Sequence, residues 1–365
     1  MIKVTLTNEI LRYITEIEQN RYTVSSVKLS PTVMNRLRKN SKKKSSYASN
    51  KIEGNPLSQK QVDEVIESDD RKHYLKSEQE IRNYFLALNF LEKKVSIKEK
   101  FSKKLILDVQ KLVEKGASKE KIGLRGPMPP GVLFAVYDSK TGNPDYIPPE
   151  YCDIPGLLDE LVEYVNTTDD HPLIIAAVVH YQLVTIHPFE DGNGRTARLL
   201  SGYIMDLNGY GFNGIGSLEE YFAYDIDEYY ESIQMGLPAL YYSGRENPPH
   251  PEIWIHYFLR MVKLYSGKIC DLQLASEEED IAGSLSFLKG KEKELLQFLI
   301  KNYRGEFTSI EVSRELSVTN KTIINRLAVL VKNGFVLPIL VNERIRSYEL
   351  SEFTREHEKE IMKVL

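Results

Sequence analysis

His187-Pro188-Phe189-Glu190-Asp191-Gly192-Asn193-Gly194-Arg195-Thr196-Ala197-Arg198 gathers the parts of a phosphate-handling site into twelve residues. His187 is the side chain of this segment that accepts a proton near neutral pH, which makes it the candidate general base. Asp191 stands where a carboxylate can hold Mg2+ against phosphate oxygens. Gly192 and Gly194 allow the backbone angles of a tight turn, and a turn feeding a helix aims several N–H groups at one point. Arg195 and Arg198 lie on the first turn of that helix and share a side; two forked cations there suit a di- or triphosphate tail. No Lys-Ser or Lys-Thr follows the glycines, so the turn is not a Walker loop. His180 and His187 lack a third ligand and a His-Glu-x-x-His pattern, which argues against a zinc hydrolase.

Those residues need elements to hold them. Apolar residues recur at helical spacing through most of the first 270 positions. Ile81, Tyr84, Phe85, Leu88 and Leu91 form one face; Leu105, Val109, Leu112 and Val113 form another, stopped by Gly116. Ile174–Ile186 is apolar on nearly every side, which predicts a buried central helix that delivers His187 at its C-terminal edge, where Pro188 ends it. Thr196–Leu207, Tyr221–Met235 and Ile253–Leu264 read as further helices. Val132–Tyr137 and Tyr146-Ile147, around the polar tip Asp138–Asp145, read as a short β-hairpin used as a flap. Ser45–Glu53 reads as a helix ended by Gly54 and Pro56, with Ser49 and Glu53 on one face. A carboxylate at a helix C-terminus opposes the dipole, so Glu53 is expected to seek a cation elsewhere. Ser58 with Gln61 predicts a capping box for the next helix.

His187–Arg198 resembles the Fic-family motif, His-Pro-Phe-x-Asp/Glu-Gly-Asn-Gly-Arg-x-x-Arg, at every defined position, and the similarity covers roughly Ser45 to Leu264. The resemblance implies transfer of AMP from Mg-ATP to a Ser, Thr or Tyr hydroxyl of a target protein. In it His187 would deprotonate the hydroxyl and Asp191 would bind Mg2+. Gly192, Asn193 and Gly194 would form the anion hole, Arg195 and Arg198 would hold the outer phosphates, and pyrophosphate would leave. Ser49…Glu53-Gly54 matches the family's inhibitory motif, Ser/Thr-x-x-x-Glu-Gly/Asn, ahead of the catalytic core. This implies an N-terminal inhibitory helix (about 45–54) whose Glu53 pairs with Arg198 and blocks the γ-phosphate; in some relatives this glutamate also supports removal of AMP. Ser217–Tyr221, Tyr229 and Tyr230 resemble the helix closing the adenine pocket, with the paired tyrosines against the base, while Leu237 stands where some relatives carry asparagine. The motif reads phosphates and not the base, so transfer of another phosphate-containing group stays open.

The whole chain, 365 residues with 42% hydrophobic and 27% charged residues and a net charge of −4, has room for more than one domain and is no general nucleic-acid coat. Cys152 and Cys270 make neither a disulfide framework nor a zinc set. The N-terminus lacks a signal-peptide pattern and the stretch 172–179 is too short for a bilayer, so a cytoplasmic protein without membrane partners is expected. The predicted organisation is mainly α: an N-terminal helical region (1–110), a Fic-type core with flap (111–270), a linker (271–285) around the charged tract Ser276–Asp280, and a last domain (286–365). That domain runs Lys291–Asn302, Ser309–Leu316 and Asn320–Asn333 as helices, then Val336–Val341 and Ile345–Leu350 as strands, an order that resembles a winged helix. Between Ser286 and Leu350 it holds eleven Lys/Arg against seven Asp/Glu. Asn320, Lys321, Asn325, Arg326, Arg344 and Arg346 are its candidates for DNA contact. So small an excess makes few phosphate contacts, and protein docking or homodimer formation stands beside DNA binding. A transcriptional regulator whose core senses nucleotide is the alternative from another class.

Overall fold

The computed structural model describes residues 4–365 except 28, 30, 69–70, 72, 119–121, 133, 138–141, 143, 236–247, 249 and 342–343. Contacts divide the chain into two units, residues 1–23 with 37–269, and 24–36 with 270–365. In chain order the elements are α1 (Asn8–Ser26), α2 (Pro31–Ile52), α3 (Gln59–Glu67), α4 (Lys76–Ser96), α5 (Lys103–Glu114), β1 (Val136–Tyr137), β2 (Pro144–Tyr146), α6 (Ile154–Thr167), α7 (Pro172–Ile186) and α8 (Asn193–Leu207). They continue with α9 (Glu219–Phe222), α10 (Ile226–Gln234), α11 (Pro251–Ser286), α12 (Gly290–Asn302), α13 (Ser309–Glu315), α14 (Asn320–Lys332), β3 (Val336–Val341), β4 (Arg344–Leu350), α15 (Glu352–Glu356) and α16 (Glu358–Val364). The protein is mostly helical.

The first unit is built around α7. Nearly every residue from Leu173 to Ile186 is buried, as a helix apolar all round must be. α8 packs along it, and α4 and α5 pack on α8. The expected boundary at 110–111 falls inside α5, because Leu105, Val109 and Val113 belong to the same core as α8. Ser58 and Gln61 form the capping box of α3.

Several elements differ from the sequence expectation. α2 starts at Pro31 rather than near Ser45 and ends at Ile52, leaving Glu53 in the following turn before Gly54 at φ +80°. Among the described residues the hairpin pairs Val136 with Tyr146 and Tyr137 with Pro144; Val132 N–H instead closes a turn on Pro129 O at 3.0 Å. Leu133 and most of the tip 138–145 lie outside the described residues, as does Leu237. The single helix expected over Tyr221–Met235 is two, since Asp225 leaves helical geometry and caps α10 by accepting the Glu228 N–H at 2.9 Å. Residues 271–285 are not an irregular linker but part of α11, whose Glu-rich stretch lacks apolar residues yet contains strong helix formers and no breaker of consequence.

The second unit has its own core, drawn from Leu285 to Ile361. α12, α13 and α14 precede the antiparallel β3–β4 pair, which runs from Val336↔Leu350 to Val341↔Arg344 with a register shift between Ile339 and Leu340. Thr308 and Glu311 make the capping box of α13, and Thr319 caps α14. No helix among the described residues is long and apolar enough to cross a membrane.

Candidate active site

α7 ends at His187, which adopts left-handed backbone angles (φ 48°) with its N–H on Leu183 O at 3.1 Å. Such a conformation is costly for a residue with a Cβ and marks a constrained position. Pro188 cannot extend the helix. His187 Nδ1 sits 3.2 Å from Val184 O; a carbonyl only accepts, so Nδ1 carries the proton and Nε2 presents its lone pair. Desolvation pushes the imidazole pKa down to about 4 although the residue keeps some exposure.

The loop after His187 is held from inside. Phe189 is fully buried. Asn193 Oδ1 accepts the Phe189 N–H at 3.0 Å and Asn193 Nδ2 donates to Phe189 O at 2.9 Å, so the amide stands in for a backbone partner. Asp191 Oδ1 accepts the Gly192 N–H at 2.8 Å. Gly192 then caps α8 at φ +80°, where a Cβ would lie 2.6 Å from Glu114 Oε1. The first bond of α8 runs from Thr196 N–H to Gly192 O at 2.9 Å, so the N–H groups of Asn193, Gly194 and Arg195 open from the positive helix end. Gly194 departs from expectation: it is helical, with no special φ, and its role is spatial. A Cβ there would collide with the Glu53 carboxylate.

The two arginines do not share one spot. Arg195 Nη2 lies 2.9 Å from Glu114 Oε1 and 3.2 Å from Asp191 Oδ1, with Nη1 3.9 Å from Glu80. Glu114 is fully buried; desolvation outweighs the attraction of Arg195 and, with Asp191 and Glu80 nearby, lifts its pKa to about 7. Arg198 faces α2 instead. Its Nε donates to Ser49 Oγ at 2.8 Å, Nη2 donates to Ser49 O at 3.0 Å and to Glu53 Oε1 at 2.6 Å, and Nη1 donates to Tyr229 OH at 3.3 Å. The cation thus meets both a carboxylate and the negative end of the α2 dipole.

The tyrosines separate too. Tyr229 is buried among Phe222, Trp254 and Tyr257, with its hydroxyl 2.8 Å from His180 Nε2. Only Tyr230, 46% exposed, offers a face to solvent.

Two residues escaped the sequence reading. Arg125 N–H donates to Pro188 O at 2.9 Å, its Nε donates to His187 O at 2.8 Å, and its Nη2 donates to Pro149 O. It therefore ties the base of the flap to the motif loop. Its signal in the sequence is nil, a lone arginine among Gly and Pro. Glu114 had a faint one: with Gln110 it forms a polar pair one helical turn apart beside the apolar face of α5. Both are buried, and Gln110 Nε2 donates to Asp191 O at 3.3 Å.

Residues 100–205 match the Fic/DOC family. Over 205 residues the chain is 28% identical to the protein adenylyltransferase Fic of Drosophila grimshawi, covering 54% of this chain and 40% of that one. Over 201 residues it is 29% identical to that of Aedes aegypti, covering 53% and 38%. The chain thus spans about 40% of the length of the curated relatives it matches. A Fic family protein from Desulfovibrio desulfuricans G20 superposes with a TM-score of 0.59 at 21% identity, covering 96% of this chain and 98% of that one. Fic-1 from C. elegans gives 0.56 at 23% identity over 74% and 73%. At these identities the likeness is one of fold. The motif loop thus lies within the segment that matches the Fic/DOC family, on a fold shared with a Fic family protein.

Proposed function

We propose that the protein is an adenylyltransferase that moves AMP from Mg-ATP onto a Ser, Thr or Tyr hydroxyl of a target protein, and that Glu53 restrains it. The junction of α7 and α8 carries this reading: a neutral imidazole and an open helix N-terminus face one loop. His187 Nε2 takes the proton of the incoming hydroxyl, whose oxygen attacks the α-phosphorus. The bond from that phosphorus to the bridging oxygen breaks, and pyrophosphate leaves. N–H groups at the start of α8 receive charge developing on the phosphate oxygens. Curated relatives named protein adenylyltransferases support the reaction class.

Magnesium, when bound, would neutralise phosphate charge. Among the described residues no group of three or more His, Cys, Asp or Glu side chains could hold a metal by itself. That fits Mg2+, which uses one or two carboxylates and completes its shell with phosphates and water. Asp191, partly exposed beside the helix end, is the residue to hold it. Arg195, ringed by carboxylates, orients Asp191 and the loop, and Tyr230 is the tyrosine with a face for the base.

The restraint is competition for one cation. Arg198 would grip the outer phosphate, and Glu53 already occupies it. In Mg-ATP labelled at the α-phosphate, Glu53→Gly protein is expected to label itself roughly 10–100-fold more than wild type, the gain from recovering about 1.4–2.7 kcal/mol at the transition state. His187→Ala in that background should lower labelling by ~100-fold or more. Equal labelling of Glu53→Gly and wild type would remove Glu53 from the mechanism.

For residues 286–365 a winged-helix docking module that meets protein is favoured over a DNA reader. Ile324 on α14 and Leu340 and Ile345 on the β3–β4 pair are 42%, 59% and 53% exposed, beside Lys321, Asn325, Arg344 and Arg346. Exposed apolar side chains on these elements suit a protein partner better than a phosphate backbone.

A further inference from the structure

The hydrogen bonds of Arg198 among the described residues come from two directions. Ser49 Oγ, Ser49 O and Glu53 Oε1 all belong to α2 or the turn after it. Tyr229 OH, 3.3 Å from Nη1, belongs to α10. A Cβ on Gly194 would lie 3.2 Å from the same Nη1, so Tyr229 holds an edge of the guanidinium that borders the first turn of α8.

Tyr229 is itself fixed by a second buried residue, His180, and neither side chain reaches solvent. A guanidinium only donates, so the Tyr229 oxygen gives Arg198 a lone pair and its own proton goes elsewhere. His180 Nε2, 2.8 Å from that oxygen, is the acceptor. Burial, with the Arg198 charge nearby, holds the imidazole pKa well below its ordinary value, so the ring is neutral. Its one proton is then on Nδ1, which is buried and has no partner among the described residues. The ring packs against Phe222, Trp254 and Phe258. A phenyl ring there would fill the space without an orphaned polar atom, whose desolvation is a cost. The histidine is therefore explained by Nε2 alone, as the group that turns the tyrosine lone pair toward Arg198.

We propose that Tyr229 and His180 are positioning residues for the outer phosphate: His180 orients the Tyr229 hydroxyl, and that hydroxyl holds Arg198 in place when Ser49 and Glu53 release it. This rests on the roles proposed above for Arg198 and Glu53. An unanchored arginine samples many rotamers, and fixing one edge in advance reduces what the ligand must order. Tyr229 thus serves the phosphate end of the nucleotide and not the base.

Titration calorimetry of the full Glu53→Gly chain compares Mg2+ with α,β-methylene-ATP, which cannot transfer AMP, against AMP alone. Tyr229→Phe removes one oxygen. It should weaken the triphosphate about tenfold and leave AMP within about twofold. In an Arg198→Ala background the same change should cost the triphosphate nothing further, because the two residues act as a unit. His180→Phe should reproduce the selective loss. His180→Gln, whose side-chain oxygen can accept from the hydroxyl, should recover most of it. Equal weakening of both ligands by Tyr229→Phe, weakening of neither, or the same loss persisting without Arg198 would overturn the proposal. Unchanged triphosphate affinity in His180→Phe, or a glutamine no better than phenylalanine, would overturn the part given to His180. A Glu53→Gly parent that binds triphosphate no better than AMP would remove the role of Arg198, and this proposal with it, before either residue is changed. The binding pattern does not depend on AMP transfer, so a failure of that reaction would be seen separately.

Discussion

Arg198 has each nitrogen of its guanidinium engaged, by Ser49, Glu53 and Tyr229, whereas Arg195 is held by Glu114, Asp191 and Glu80. Arginines three residues apart can share a side of a helix, but which cation meets which partner depends on α2 and α5, far away in sequence. His187 offers a test through acidity. Its pKa of about 4 lies below the ordinary histidine value near 6.5. Labelling by Glu53→Gly protein should therefore hold steady as pH falls through 6.5 and decline only toward 4; an inflection near 6.5 in the rate profile would contradict a neutral, desolvated base. The same depression means the unfolded chain takes up this proton first. The stability it contributes is complete above about pH 6.5 and is lost as pH falls toward 4. Gly192 gives a second test. Gly192→Ala places a Cβ at φ +80° against Glu114 and should cost ~1–3 kcal/mol in denaturant unfolding. A loss no larger than an ordinary surface substitution would mean that the turn is not constrained.

At the level of elements, most helices were legible. Ile174–Ile186 announced a central helix because no face was polar, and the motif helix was read over Thr196–Leu207 although it begins at Asn193. What failed to show were ends and breaks. Asp225 splits one apolar run into α9 and α10 by a cap that periodicity does not register. The acidic tract near Ser276 read as a linker because it lacked apolar residues, yet glutamates sustain α11. The extra length of α2 was hidden because Lys39–Lys44 gives no apolar stripe, and its basic side chains instead reach Glu92, Glu67 and Glu220. Arg125 is the tie that sequence spacing does not reveal, since its partners are carbonyls of Pro188, His187 and Pro149. Arg125→Met keeps the bulk and removes the donors. It should lower stability by about 2–4 kcal/mol and speed proteolysis in the flap before global unfolding. A fully retained Tm with unchanged cleavage would show that the flap is anchored elsewhere.

On the scale of the whole molecule, the match to the Fic/DOC family at residues 100–205 takes in the motif loop but neither Glu53, in the turn after α2, nor the core of residues 285–361. That core draws its buried residues from 285–361, so a fragment spanning 285–365 should unfold cooperatively by circular dichroism. It should also show little affinity for duplex DNA at physiological salt, given its small positive excess. A non-cooperative melt, or tight binding with a steep salt slope, would revise the docking assignment. The motif loop was readable from twelve residues, while the partner of Glu53 became visible only with its 2.6 Å contact to Arg198. The most direct measurement is the intact mass of Glu53→Gly protein after incubation with Mg-ATP. A gain equal to one or more AMP groups, lost when His187 is also changed to alanine, is the predicted result. An unchanged mass with bound nucleotide intact, or a gain that persists without His187, would contradict it.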